Sequence, residues 1–464
     1  MVKSEDSWLL GASSCILEVA GDNVSLLRAF SGDSMSTRTF RKAVLCRCLT
    51  RTLFIATLAS QAPAQTSLTW EMVKDKFEST NPTLRASQLN IDETRASEIS
   101  AYLRPNPTLT LSTDGTQLSR YQGVWRPFAG TQYSPSVSYL HERQHKRELR
   151  LDQAVASTGI ARSTYLDQER GLLFTLRSAF VQTLQAKAVL QNAKDNLEYW
   201  DRALSLNKLR NQVGDLSEVD LKRLQLLRVQ FETDFENATV SLRTAKIQLL
   251  MLMNERTPLD RFDVTGTYDF TDEIGAIDDY RRAALEARPD LRVAIQNVDL
   301  ARISHKLAVA NGSTDPTFST WVTHNPAFNN PFDNNTIGAS VSIPLRIFDR
   351  NQGEKARTQI DIARNQRLRD ANEALVYSDI DSAYGTLIQN LRLLRTYKKE
   401  YLNLAADIRD KMSFSFKNGG ASLLDYLDAE KSYRDTRLAY LNLIGSYLTA
   451  AAQLNMAAGR EVLQ

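Results

Sequence analysis

The fold of this chain is decided by a six-residue turn, Lys417-Asn418-Gly419-Gly420-Ala421-Ser422, which separates two long tracts typical of helix. Before the turn, apolar residues from Ala374 to Phe416 follow alternating steps of three and four, which is coiled-coil spacing. Residues 352–417 contain no proline, so at 1.5 Å per residue they predict a rod of about 100 Å. Ser422 is placed to cap a returning helix. We therefore predict two long antiparallel helices over residues 351–459.

The N-terminal part of the chain has the features of an export signal. Residues 1–34 show no periodic pattern, and Met35, a candidate true start, opens a basic segment that is followed by an apolar one. Ala62-Pro63-Ala64 then offers small residues at the −3 and −1 positions, which predicts cleavage before Gln65. We expect residues 1–64 to be an N-terminal extension and signal peptide, and the mature chain to be exported.

Cysteine usage and charge exclude several classes of function. All three cysteines, Cys15, Cys46 and Cys48, lie in the part that would be removed, so we expect neither a disulfide, thiol chemistry nor an N-terminal lipid anchor. The first 64 residues hold 7 Lys and Arg and 5 Asp and Glu, which leaves 50 and 49 in the remainder. This balance argues against nucleic acid as a partner. No apolar run approaches the roughly 18 residues of a membrane-spanning helix, so any crossing of a membrane would use strands.

The same order of predicted elements occurs twice along the chain. The recurring features are Pro82 with Pro289, Ser136-Val137-Ser138 with Ser340-Val341-Ser342, and Gly214 to Asp220 with Gly419 to Asp425, at offsets of 207, 204 and 205. Helices, a strand pair, a long helix, a turn and a return helix in one order predict a duplicated unit. We predict a first repeat over residues 65–257, a linker over 258–279 and a second repeat over 280–464.

Each repeat contains two short alternating segments, and residues 336–345 form the clearest of them, with one apolar face and one small, polar face. The neighbouring helices are too long to cover such strands, so we expect the apolar face to meet lipid and the polar face to line water. Four strands cannot close a barrel, and open edges are not tolerated in lipid. Several chains must therefore contribute to one barrel, and three chains would give twelve strands.

Two strands and a long helix pair, duplicated behind a signal peptide, resemble the TolC family of outer-membrane efflux proteins over the whole mature chain. Residues 213–220 and 419–430 are similar to the two tip motifs of the family. Residues 340–353 resemble the strand-to-helix junction of the branch that partners heavy-metal RND-type pumps.

The resemblance implies an α+β membrane protein. The expected assembly is a homotrimer with a twelve-stranded outer-membrane β-barrel, four strands per chain, continued by a long periplasmic tunnel of α-helical coiled coils. The expected partners are a periplasmic adaptor protein, an inner-membrane pump and outer-membrane lipid. The expected function is an exit duct that passes small toxic compounds or metal cations to the exterior, without enzymatic activity or a cofactor.

The tips of the long hairpins are the candidate functional site. The resemblance implies that they dock the adaptor, through Gly214, Leu216, Ser217, Gly419, Gly420, Ser422 and Leu423. It also implies a gate there, for which Asp425 and Asp428 are the candidates and Asp220 a weaker one. Asp425 and Asp428 share a helix face, and in a trimer they would form a ring of six carboxylates that attracts cations. The alternative is a solvated helix start, where carboxylates suit the helix dipole.

Two other functions stay open from the sequence. The first has the same fold and is the outer-membrane duct of a type I protein secretion system. The second is a secreted zinc protease, because residues 141–145 match the H-E-x-x-H motif. The flanks of that motif are charged, and the corresponding positions of the second repeat are Leu345 and Asp349, so we disfavour a zinc site.

Overall fold

The computed structural model describes residues 67–120, 122–325 and 334–463 of the chain. The predicted extension and signal peptide, residues 1–64 with the three cysteines, lie outside these residues. Within the described part of the chain, no helix has both the length and the apolar character that a membrane span requires.

The described chain consists of two halves with the same order of elements. The first half contains β1 (Ser67–Leu68), α1 (Trp70–Thr80), α2 (Pro82–Tyr102), β2 (Thr108–Asp114), β3 (Gln132–Leu140), α3 (Lys146–Gln212) and α4 (Glu218–Leu252). Between the halves lie a 3₁₀ turn (Leu259–Arg261) and β4 (Asp263–Val264). The second half contains α5 (Ile277–Ala287), α6 (Pro289–Asn311), β5 (Thr317–His324), β6 (Asn335–Ser342), α7 (Gln352–Thr396), a π-helical turn (Tyr397–Tyr401), α8 (Leu402–Lys417) and α9 (Leu423–Ala458).

The predicted long helical hairpins are confirmed in both halves. Helix α3 has 67 residues, which at 1.5 Å per residue corresponds to about 100 Å. The predicted rod over residues 352–417 is also continuous, but it contains the π-helical turn, which its periodicity did not reveal. In that turn the Lys398 ammonium lies 4.8 Å from the ring centre of Phe270 and 3.4 Å from the Asp269 carboxylate. The irregular turn therefore coincides with a contact to the segment between the halves.

The four longer strands form one antiparallel sheet in the order β2-β3-β5-β6. Its two outer hairpins have equivalent registers, since Thr108 pairs with Ser138 and Thr317 pairs with Ser342. In the centre, Ser138 also pairs with Ser319 and joins the two halves. Strands β3 and β5 alternate between half-buried and exposed side chains over most of their length, whereas β2 is exposed throughout. The sheet thus has two open edges, β2 and β6, among the described residues.

The predicted linker, residues 258–279, packs closely against the long helices. The phenol of Tyr268 donates to the backbone carbonyl of Leu441 at 2.7 Å. Further along, the guanidinium of Arg395 contacts the Asp272 carboxylate at 2.7 Å. Strand β4 of the same segment pairs in parallel with β1, so the segment also holds the beginning of the described chain.

Three clusters of buried apolar side chains hold the helices together. The cluster next to the hairpin turns, which we call the tip cluster, consists of Trp200, Leu204, Leu224, Phe231, Phe416, Leu423 and Tyr426. Burying one large apolar side chain contributes about 1.5–3 kcal/mol. Because the tip cluster draws residues from α3, α4, α8 and α9, it fixes the two turns relative to each other.

Candidate functional site

The second tip is a tight turn that ends α8 at Lys417. Gly419 has a φ of +75°, and no atom lies within 4 Å of the position that a Cβ would take there. The need for glycine therefore comes from the left-handed backbone and not from lack of space. The turn is closed by a hydrogen bond of 2.8 Å from the Gly420 amide to the carbonyl of Ser415.

The N-terminus of α9, the helix that follows this tip, is capped by two reciprocal hydrogen bonds between Ser422 and Asp425. The Ser422 hydroxyl accepts a hydrogen bond of 3.2 Å from the amide of Asp425, and the Asp425 carboxylate accepts from the Ser422 amide at 3.3 Å. Such a reciprocal capping box satisfies amides that the first helical turn would otherwise leave unpaired. The next residue, Leu423, is buried in the tip cluster. The predicted cap at Ser422 is confirmed.

The first tip repeats this geometry. Gly214 has a φ of +83°, and the Ser217 hydroxyl accepts a hydrogen bond of 3.0 Å from the amide of Asp220. The same hydroxyl donates to the Asp220 carboxylate at 2.8 Å. Leu216 is half-buried against the tip cluster. The seven predicted docking residues thus lie in or next to two similar turns, each with a left-handed glycine followed by a serine that caps the next helix.

The three predicted gate aspartates differ in their surroundings. Asp220 and Asp425 are the third residues of α4 and α9, and their carboxylates are engaged in the caps. Asp428 is exposed, and in the described part of the chain its carboxylate has neither a hydrogen bond nor an ion pair. The helix-start reading therefore fits Asp220 and Asp425, whereas the Asp428 carboxylate takes no part in a cap.

The two tips are joined by a stack of aromatic rings that the sequence analysis missed. The ring centres of Trp200 and Phe231 are 5.0 Å apart, and those of Phe416 and Tyr426 are 5.1 Å apart with nearly parallel planes. Trp200 and Tyr426, 6.4 Å apart, connect the two pairs. The guanidinium of Arg210, from the first tip, lies 5.4 Å from the ring centre of Phe416, from the second. Aromatic pairs of this kind contribute about 0.5–1.5 kcal/mol beyond their buried area.

A buried carboxyl group lies beside this stack. The phenol of Tyr199 on α3 donates a hydrogen bond of 2.9 Å to Glu430 on α9. Burial raises the pKa of Glu430, and it also raises the pKa of Tyr199 and of Tyr426. The sequence does contain a sign of this buried group, because Glu430 lies one helical turn after Tyr426 and so on the same face of α9 as the aromatic stack. Its charge made it look like a surface residue.

The H-E-x-x-H motif does not form a zinc site. His141 lies in the loop after β3, and His145 is the left-handed N-cap of α3 with a φ of 55°, so the two are not neighbours on one helix. The Glu142 carboxylate is occupied by the guanidinium of Arg150, with one hydrogen bond at 2.8 Å. Among residues 67–120, 122–325 and 334–463, no group of three or more histidine, cysteine or acidic residues could hold a metal ion.

Comparisons with known proteins agree with the fold. The chain is 24 % identical over 403 residues to the cobalt-zinc-cadmium resistance protein CzcC of Cupriavidus metallidurans. This alignment covers 85 % of this chain and 90 % of CzcC. Two similar solved structures are the channel CusC, with 15 % identity and a TM-score of 0.71, and the open Neisseria gonorrhoeae MtrE outer-membrane channel, with 18 % and 0.68. Each alignment covers 84 % of this chain, and it covers 92 % of CusC and 88 % of MtrE.

A family model shows the relationship directly. The model described as outer membrane efflux protein matches the chain twice, over residues 75–255 and 281–460. These two segments make up most of the chain and include both tips. The resemblance found in the tip motifs is therefore confirmed, and it is a resemblance to efflux ducts and not to enzymes. The chain belongs to the outer membrane efflux protein family.

Proposed function

We propose that this chain is the outer-membrane exit duct of a tripartite efflux system and that it passes metal cations or other small toxic compounds from the periplasm to the exterior. The observation that carries the proposal is the match of the efflux family to both halves of the chain. Metal cations are the favoured cargo because CzcC, a cobalt-zinc-cadmium resistance protein, is similar over 90 % of its length.

In this proposal, three copies form one twelve-stranded barrel, and their long helices continue it as a periplasmic tunnel. Support comes from the open edges β2 and β6, which lack a strand partner among the described residues. Because the sheet has an even number of antiparallel strands, β6 of one copy runs antiparallel to β2 of the next, and the sheet closes. Exposed apolar side chains of the sheet, such as Leu111 and Ile337, then contact outer-membrane lipid.

The two halves are copies of one unit, with a first repeat over residues 65–257, a linker over 258–279 and a second repeat over 280–464. The equivalent registers of the hairpins β2-β3 and β5-β6 support this division. So do the two family matches, because each of them falls within one repeat.

The tips dock a periplasmic adaptor protein, which connects the duct to an inner-membrane pump. Apolar side chains that a soluble turn would not need are exposed there, with Val213 and Leu424 both 74 % exposed and Phe414 71 % exposed. Exposed apolar groups around a rigid turn are typical of a protein-protein contact. The glycines and capping serines hold the backbone on which these side chains stand.

The gate lies at the same end of the tunnel. Asp428 is the principal candidate, because its carboxylate is exposed and is not part of a cap. Asp425, and Asp220 in the first half, add negative charge while they cap their helices. In three copies, Asp425 and Asp428 supply six carboxylates near one axis, and such a ring attracts cations.

The proposal is tested in a bacterial strain from which this chain has been deleted. We expect lower tolerance to Co²⁺, Zn²⁺ and Cd²⁺ and a higher content of these ions in the cells, with both restored when the chain is supplied again. If the deletion strain were sensitive to organic compounds but not to these metals, the cargo would be small organic compounds and not metal cations. If a protein failed to reach the medium while metal tolerance stayed normal, the duct would belong to a protein secretion system.

A further inference from the structure

We propose that a cavity between α3 and α9 binds an amphiphilic anion, that is, a molecule with one carboxylate or phosphate group on an apolar chain. The cavity lies within one copy of the chain and has a volume of about 890 Å³, a size typical of sites for small organic ligands. The linker, α1 and residues 459–463, which we call the C-terminal segment, complete its wall. None of the described wall residues belongs to a hairpin tip, so the site is distinct from the proposed docking and gate residues.

The cavity is elongated along α3. On this helix its wall runs from Leu166 to Leu184 and includes Leu173, Arg177 and Val181, which lie on one helix face. At 1.5 Å per residue, this stretch is about 27 Å long. A long cavity of this volume suits an extended hydrocarbon chain better than a compact ring system.

The wall of the cavity is more apolar than polar. Helix α9 contributes Leu448, Ala452 and Met456 to it, and the C-terminal segment contributes Leu463. Leu448, Met456 and Leu463 are half-buried, so part of each side chain stays in contact with water. A hydrocarbon chain in the cavity would remove this apolar surface from water, which is favourable. The wall therefore predicts an apolar body for the ligand.

The C-terminal segment is held in place by side chains of two helices. The side-chain oxygen of Asn455 accepts hydrogen bonds of 2.9 Å from the amides of Val462 and Leu463, and its NH₂ group donates to the Leu463 carbonyl at 2.6 Å. On α1, the Lys74 ammonium contacts the Glu461 carboxylate at 3.6 Å. Because these contacts fix the segment, this part of the wall is formed before any ligand binds.

The guanidinium of Arg177 indicates that the ligand is an anion. Its central carbon lies 4.5 Å from the ring centre of Trp70 and 6.0 Å from that of Phe180. In the described part of the chain it has neither a hydrogen bond nor an ion pair, and burial lowers its pKa although the Glu461 and Glu71 carboxylates oppose this effect. A charge that is partly removed from water needs a partner, and a carboxylate or phosphate can accept two guanidinium N–H groups at once.

The other half-buried charged groups of the wall have partners within the described chain. The Arg170 guanidinium contacts the Asp167 carboxylate at 2.5 Å and donates to the Met456 carbonyl at 2.7 Å. The Glu169 carboxyl group accepts a hydrogen bond of 3.4 Å from the Tyr165 phenol, and burial raises its pKa, which favours the neutral form. The charged wall residues that are exposed to water are Glu71, Asp269, Arg460 and Glu461. Arg177 is thus the group for which the cavity supplies no partner.

The proposal is tested by photoaffinity labelling of the full chain in phosphatidylcholine nanodiscs, because detergents are themselves amphiphiles. The probes are palmitic acid and monopalmitoyl phosphatidic acid, each with a diazirine on the chain. We expect them to label peptides from residues 166–184 and 447–463, and the better probe distinguishes a free fatty acid from a phospholipid product. The same chain with a trimethylammonium head group should label these peptides about tenfold less, because it cannot accept hydrogen bonds from a guanidinium. Labelling of the strands serves as the background for all three probes.

Two variants separate the head-group contact from the apolar contact. Arg177→Gln should lower labelling by both anionic probes about tenfold. Arg162→Gln is the matched control, since this arginine is exposed on α3 outside the wall, and it should label like the natural chain. Leu448→Trp keeps Arg177 but fills part of the cavity, and it should also lower labelling. Unchanged labelling of the strands shows that each variant is folded.

Thermal unfolding gives a second measurement. The midpoint of the natural chain should rise with the concentration of the better anionic probe, because a ligand that binds only the folded state stabilises it, and the midpoint of Arg177→Gln should not rise. Three results would overturn the proposal: absence of labelling in the two peptides, equal labelling by anionic and cationic probes, or labelling that persists in both Arg177→Gln and Leu448→Trp.

Discussion

The phenol of Tyr199 donates a hydrogen bond of 2.9 Å to the carboxyl group of Glu430, and this contact connects the first long hairpin to the second near the tips. Burial raises the pKa of Glu430 and outweighs the hydrogen bond from Tyr199 and the Arg409 guanidinium, which both lower the pKa. Tyr426 of the same helix also faces the group. The folded protein therefore favours the protonated carboxyl group.

The pH dependence of stability follows from this raised pKa. The folded state holds the Glu430 proton more tightly than the unfolded state, so the contribution of Glu430 is fully present below the ordinary carboxyl pKa of about 4.3 and is lost as pH rises through the raised value. The slope reaches at most about 1.4 kcal/mol per pH unit. Glu430→Gln should flatten this dependence in unfolding measurements from pH 4 to 8. Glu236→Gln, at an exposed site of α4, should leave it unchanged.

The capping box at the second tip should contribute measurably to stability. Ser422→Ala removes the hydroxyl that accepts from the Asp425 amide, and the loss of such a cap costs about 1 kcal/mol. Ser422→Thr keeps the hydroxyl and should cost much less. Denaturant unfolding of both variants measures the difference. Equal stability of the alanine and threonine variants would mean that water replaces the cap at no cost.

The left-handed glycine of the second tip should be intolerant of a side chain. Gly419→Val forces a β-branched residue to a φ of +75°, which costs about 1–2 kcal/mol and distorts the proposed docking surface. We expect loss of metal tolerance while assembly and membrane insertion persist. Gly385→Ala is the matched control, since that position is inside α7 with open space around it and alanine is a better helix former. Transport by a Gly419→Val protein would exclude this turn from docking.

An ion pair connects the start of α3 in the first half to the segment before β5 in the second half, and its removal should be costly. The Lys146 ammonium contacts the Asp315 carboxylate at 2.5 Å and donates to the Ser313 carbonyl at 3.1 Å, and 4 % of the lysine side chain is exposed. Asp315→Ala leaves a buried charge without its partner and should destabilise the protein by about 3–5 kcal/mol. Lys146→Met combined with Asp315→Ala should recover much of this loss in the same unfolding assay. A double variant as unstable as Asp315→Ala would contradict the explanation by an unpaired charge.

The charge of the proposed gate should determine the ion selectivity of the duct. Asp425→Asn with Asp428→Asn keeps both side chains nearly the same size and removes the negative charges, so the reconstituted duct should lose its cation preference and its block by multivalent ions. Asp407→Asn with Asp410→Asn removes two charges with the same spacing from α8 and serves as the control. Selectivity is measured from reversal potentials in a planar bilayer. An unchanged potential in the first variant would place those aspartates away from the axis.

The sequence predicted the long elements well because their physics is local. Heptad-like spacing, the Pro82 and Pro289 helix starts, and serines that follow glycine turns each act within one or two helical turns. The structure has all of them at the predicted places. The repeat also transferred information, because a weak strand in the first half was supported by a clear one in the second.

Contacts between distant segments could not be predicted in this way. Glu430 is the last residue of the second tip motif, yet it is buried in contact with Tyr199, which is more than two hundred residues away. The aromatic stack likewise takes one ring from each of four helices. His141 and His145 matched a motif that binds zinc only when both histidines lie on one helix, and here the helix begins after the left-handed cap at His145.

The π-helical turn at Tyr397–Tyr401 has a consequence for hybrid ducts made from parts of two relatives. An α-helix rotates by about 100° for each residue, so a change in length by one residue normally turns every later side chain out of its seam. A π-helical turn accommodates one residue more than an α-helical turn over the same axial distance. In a hybrid, the tip of one relative can therefore be joined to α7 of another within this turn. If the two segments differ in length by one residue, a change between a π-helical and an α-helical turn compensates for the difference, and the side chains of α8 keep their orientation.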